Sequence, residues 1–169
     1  MDVHVMIEEA LGAWAGTRQG VISEIENIQE DKLDVKVGDG ARTAREIARH
    51  ILEAGYVFGR EVALANGGFN RAPFRDIATQ HLADVAPTPT RDELLAALRG
   101  SMDQIQADLR ATGPTHLIGS MRGLFHDTSR ISMIHFASSH EYYHCGQLTM
   151  CARAAGIMPA MTQKYSSKA

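Results

Sequence analysis

A chain of 169 residues with 17 Lys and Arg against 20 Asp and Glu carries a formal net charge of −3, so it has the length of one domain and no basic field. A domain of this size removes roughly 70% of its unfolded surface from water and needs no disulfide framework, and basic residues dispersed among more numerous acidic ones argue against nucleic acid as a partner. The amino terminus lacks a basic segment followed by an apolar core, and no apolar run of about 18 residues occurs. The expectation is a soluble, cytoplasmic protein with no membrane partner. Cys145 and Cys151 point about 120° apart on one predicted helix and read as free thiols of a reducing compartment.

Helical periodicity dominates the chain. Ile7, Leu11, Trp14, Val21, Ile25 and Ile28 form the stripe of a long first helix, broken only at Arg18. Two readings of Arg18 stay open: it snorkels toward the bundle end, the preferred one, or it grips an anionic substrate. The stretch EDKLDVKVGDGA breaks the pattern, and Thr43 with Glu46 forms a capping box that opens a second helix ending near Asn66-Gly67-Gly68, with His50 in its second turn. A connection of roughly twenty residues from Phe69 follows, with room for one short helix, and in a dimer its stretch around Phe69 to Phe74 is expected to cover the pocket mouth. A second capping box, Thr90 with Glu93, opens a third helix carrying Leu94, Leu95, Leu98, Ile105 and Leu109.

Past Gly113-Pro114 an irregular segment reaches the N-cap run Asp127-Thr128-Ser129, from which a fourth helix extends to Gly156, stopped by Pro159. Phe136, His140, His144, Gln147 and Cys151 share one face of it, so the histidines face the core. Little strand signal remains. The prediction is an all-α, up-and-down four-helix bundle over residues 1–160, with a long connection between helices two and three and a frayed tail over residues 161–169.

His140 and His144, spaced i and i+4, lie about 5–6 Å apart at Cβ, close enough to share a zinc-like ion bound at about 2.0–2.1 Å. His50 supplies the third imidazole. Three neutral imidazoles leave a fourth position open, as in catalytic zinc sites. HEYYH also fits the H-E-x-x-H pattern of zinc proteases, with Glu141 as general base. Beyond His144, however, the chain has no His, Asp or Glu, and no strand is available to align a peptide, which disfavours that reading. Glu141 stays a weak candidate base against a solvated position at the helix edge. Gln147 shares the ligand face and either bonds an imidazole or substrate or closes the core; Tyr143 lies near that face, whereas Tyr142 points to a subunit interface. Gly146 reads as a close-packing position, the methionines as core fillers, and His4, His81, His116 and His126 as surface residues. His135 sits about 140° around from His140 and points away.

The segments TAREIARHI (43–51), HEYYHCGQL (140–148) and RAAGI (153–157) together resemble the DinB/YfiT-like superfamily. The resemblance implies a four-helix bundle, one divalent metal ion held by His50, His140 and His144, and frequent homodimers; three imidazoles would accept zinc, nickel, copper or cobalt, with zinc or nickel the expected ion. It also implies metal-dependent transfer or isomerisation with a low-molecular-weight thiol such as bacillithiol, mycothiol or glutathione. The preferred reading is a transferase that joins such a thiol to a small electrophile. The alternatives are a metallohydrolase using metal-activated water and a non-catalytic, metal-stabilised stress-associated binding protein.

Overall fold

The computed structural model describes residues 2–70, 72–81 and 88–166. Its elements are helices α1 (Val3–Asn27), α2 (Ala44–Ala63), α3 (Phe74–His81), α4 (Arg91–Thr112), α5 (Pro114–Ile118), α6 (Arg130–Ala154) and α7 (Ala160–Ser166), with a short 3-10 turn at Glu30–Lys32 and strands β1 (Ser120–Arg122) and β2 (Asp127–Ser129). The fold is helical, as the periodicity predicts. The His81 side chain, whose surface placement was expected, residues 82–87 of the connection and the last three tail residues lie outside the described residues.

Local chemistry sets the helix ends. Both predicted capping boxes form: Glu46 Oε2 accepts from Thr43 N at 2.8 Å, and Glu93 Oε2 accepts from Thr90 N at 2.8 Å. Ser129 caps α6 by accepting from Ser132 N, and Gly156 takes a positive φ of 77° just past its end. The C-terminus of α2 is closed from a distance. Arg130 is buried and donates to the carbonyls of Val62 (3.0 Å) and Ala65 (2.9 Å), and His116 Nε2 donates to Val62 O at 2.9 Å. His116 is therefore not a free surface residue. These donors meet carbonyls that a helix end leaves without partners.

The four long helices pack in a ring, α1 on α6, α6 on α2, α2 on α4 and α4 on α1. Two apolar clusters fill it. One holds Leu11, Trp14, Phe58, Ile105 and Ile134; the other holds Ile25, Ile51, Leu98 and Leu148. Along α1 and α6 the first cluster precedes the second, and along α2 and α4 the order reverses. So α2 and α4 run parallel, and the order is up, down, down, up rather than the simple alternation expected. The physical reason is the long connection: a chain entering α4 parallel to α2 must first travel back along the length of a 20-residue helix, about 30 Å.

Between the clusters lies a polar layer. Arg18, Ser101 and Glu141, each 1% exposed, sit where their helices change from one cluster to the other. Arg18 thus does not snorkel to the end of the fold, and Glu141 is not solvated at a helix edge. Three other expectations also change. Strands β1 and β2 pair antiparallel, Ser120 with Ser129 through Arg122 with Asp127; three residues each, with Met121 the buried one, are too few to show alternation in sequence. Gly146 is exposed, with nothing within 4 Å of an added Cβ, so it serves no close packing. Residues 161–166, part of the tail expected to fray, lie in α7, where Glu24 accepts from Ala160 N (3.1 Å) and Met161 N (3.2 Å). Met102, Met121 and Met133 are buried as expected, whereas Met6, Met150, Met158 and Met161 are exposed.

Candidate metal centre

Helix α2 brings His50, and α6 brings His140 and His144, to one point level with the polar layer. The ligand atoms of all three lie within 4.8 Å of one another, in a group that could hold a metal ion. His140 Nε2 is 3.3 Å from His50 Nε2 and 3.2 Å from His144 Nε2. Two nitrogens bound at about 2.0–2.1 Å to one tetrahedral ion stand about 3.3 Å apart, so the spacing fits. Hydrogen bonding alone satisfies the cluster poorly. His144 Nδ1 donates to Gln147 Oε1 at 2.7 Å, which leaves the Nε2 of neutral His144 a bare lone pair, and two short nitrogen contacts then compete for one proton on His140. A cation meets all three lone pairs at once.

The imidazoles are held in the form a metal needs. Burial pushes the His50 pKa down to about 4, helped by the charges of Arg42 and His144. Burial likewise pushes His140 down to about 4, with His144, His50 and Arg42 adding to it. His144 is lowered by burial too, against the opposing pull of its Gln147 bond. Neutral imidazoles near pH 7 bind metal without first losing a proton.

Neighbours orient the rings. Gln147 accepts from His144 and donates from Nε2 to the Tyr143 hydroxyl at 3.2 Å, so both residues marked in the sequence join the site through His144. His140 is set by packing instead: Phe58 lies 5.6 Å and Phe136 6.4 Å from its ring centre, and its Nδ1 is buried without a hydrogen-bond partner among the described residues. Phe69 and Phe74 pack on Phe58 at 5.6 and 6.3 Å. Phe69 N donates to Arg122 O at 3.0 Å, so the missed hairpin ties the connection to this aromatic wall.

Glu141, between the two α6 histidines in sequence, faces another way. It pairs with Arg18 through both oxygens, Arg18 Nε donating to Oε2 at 2.8 Å, and Trp14 Nε1 donates to Oε1 at 2.7 Å. Arg18 also donates to Leu98 O (3.0 Å) and Ser101 Oγ (2.9 Å). Neither residue is placed as the sequence reading had it: a carboxylate answering two donors is a structural partner, and a guanidinium so engaged is not free for substrate. Trp14 was missed in this role, although two opposite charges on core faces were a usable signal.

Two clefts flank the histidines and meet at Arg42. One, about 430 Å³, is lined by Val37, Ala41, Arg42, Ile47, Tyr143 and His144 among others. The other, about 420 Å³, is lined by Arg42, Arg49, His50 and Glu53 among others. Cys145, behind the site, is buried with its thiol pKa pushed up to about 11, which makes it inert as a nucleophile. His4, His126 and His135 are exposed, and Tyr142 is 71% exposed. Among the described residues no helix is long and apolar enough to cross a membrane.

Three imidazoles converging from two helices of an all-α fold, beside open clefts, define a helical protein with a candidate three-histidine metal site. The family model of the DinB superfamily matches residues 13–148, and the chain belongs to that superfamily. No curated protein matches it.

Proposed function

We propose that this protein is a metal-dependent transferase that joins a low-molecular-weight thiol to a small electrophile, with one divalent ion, zinc or nickel, on His50, His140 and His144. The observation that carries the reading is the Nε2 spacing of 3.2 and 3.3 Å in a cluster bordered by clefts. An ion held this way is a Lewis acid that favours the thiolate of a bound thiol. The chain's own residues prepare the place. Gln147 keeps the His144 proton on Nδ1, Phe58 and Phe136 pack beside His140 on its apolar side, and the cleft beside Tyr143 gives access.

Transfer is preferred to hydrolysis because of Glu141. A carboxylate base beside the metal-activated water would favour hydrolysis, but Arg18 and Trp14 engage Glu141 inside the fold. A thiol loses its proton more readily than water and needs no such base. Free buried Cys145 and Cys151 suit a reducing, cytoplasmic setting, and exposed Tyr142 supports a homodimer.

The test is turnover of an aryl halide or epoxide by zinc- or nickel-loaded protein with bacillithiol, mycothiol or glutathione. Thioether should form only when both thiol and metal are present and should vanish in His144→Ala. Consumption of ester or amide substrates without thiol would instead favour the hydrolase.

A further inference from the structure

Arg42 stands in the loop before α2 and lines both clefts, the one with His144 and the one with His50. Its neighbours in sequence are matched: Arg45 pairs with Glu30 and Asp34 at 2.9 and 3.0 Å, and Arg49 pairs with Glu53 at 2.7 Å. Arg42 is exposed and takes part in no ion pair among the described residues. A fixed cation beside a candidate metal centre raises the electrostatic cost of binding a second cation there. That arrangement suits an anion that offsets both charges.

The first cleft indicates what kind of anion. Val37, Ala41, Ile47 and Met150 give it apolar walls, and Arg42, Tyr143 and Gln147 are the polar residues that line it beside His144. A guanidinium matches a carboxylate in a two-point hydrogen-bonded fork.

We propose that Arg42 is the carboxylate-recognition residue of this centre, and that the cleft takes a small thiol bearing a carboxylate. The carboxylate lies on the Arg42 guanidinium, the short carbon body lies against Val37 and Ile47, and the sulfur points toward the histidines. This rests on the metal-and-thiol reading given above and adds to it a ligand class and the residue that selects it.

The test uses cobalt-loaded protein, whose visible spectrum reports sulfur binding, titrated with 3-mercaptopropionate and with its neutral isostere 3-mercaptopropionamide. Cobalt uptake is measured first on every variant. Wild type should bind the carboxylate on the order of tenfold more tightly than the amide, the scale of a hydrogen bond to a charged group. Arg42→Ala should lose that preference with its amide affinity unchanged, and Arg42→Lys should keep part of it. Equal affinities in wild type, or a preference that survives in Arg42→Ala, overturn the Arg42 assignment and leave the thiol reading standing. Cobalt uptake with no spectral response to either thiol overturns both, and absence of cobalt uptake removes the metal centre itself.

Discussion

Arg18 and Glu141, 123 residues apart, form an ion pair in which each is 1% exposed, and Gly55 on α2 leaves the room for it. A Cβ added at Gly55 would stand 2.5 Å from Arg18 Nη2 and 3.3 Å from Glu141 Oε1. The pair joins α1 to α6 in the layer that also carries the histidines, so it fixes the helix that presents His140 and His144.

Gly55→Ala should therefore destabilise the fold by about 1–3 kcal/mol, the usual range for overpacking. The guanidinium cannot yield cheaply, because Leu98 O and Ser101 Oγ hold its other side. Gly146→Ala should do the reverse and stabilise by about 0.5–1 kcal/mol, since the added methyl meets open space in mid-helix. Urea unfolding followed by circular dichroism measures both, and equal effects at the two positions would contradict the packing described.

Breaking the ion pair from one side should cost about 3–5 kcal/mol, because the remaining charge is left buried and alone. Glu141→Leu and Arg18→Met should each show that loss, and the double variant should recover a large part of it. A double-mutant cycle with additive effects would mean that the two charges do not interact.

Gln147→Leu removes the acceptor for His144 Nδ1 while keeping the side chain's bulk. Loss of such an outer hydrogen bond lowers metal affinity by about 10–100-fold. A competition titration with a zinc chelator reads it, and an unchanged affinity would show that packing alone orients His144.

Metal-free protein should lose stability as pH falls from about 6.5 toward 4. Burial lowers the folded-state pKa of His50 and His140 to about 4, whereas the unfolded chain titrates near 6.5. Within that window the unfolded state binds more protons, so stability rises with pH. The melting temperature of chelator-treated protein should drop between pH 7 and 5, and the drop should shrink in a His50→Phe, His140→Phe double variant. A flat profile in wild type would contradict the burial of these rings.

What the sequence revealed was mostly local. The spacing of His140, His144 and Gln147 is fixed by one helix, and the capping boxes at Thr43 and Thr90 close within four residues, so each could be read directly. Arg18 and Glu141 were misplaced because each looks anomalous alone, and only the meeting of α1 with α6 makes them partners. Arg130 and His116 cap α2 across more than 50 residues, a relation with no periodic signal. Arg42 was passed over for a similar reason: it lies in a loop, and what sets it apart is that, among the described residues, it takes part in no ion pair, unlike Arg45 and Arg49.

The central claim, that His50, His140 and His144 share one divalent ion, is tested most directly by metal content. Inductively coupled plasma mass spectrometry should be run on the wild-type protein after reconstitution, beside His50→Ala and His144→Ala. The expected result is close to one zinc or nickel ion per chain in wild type, lost in both variants while the helical circular dichroism persists. No bound metal in wild type, or equal metal in all three proteins, would contradict it.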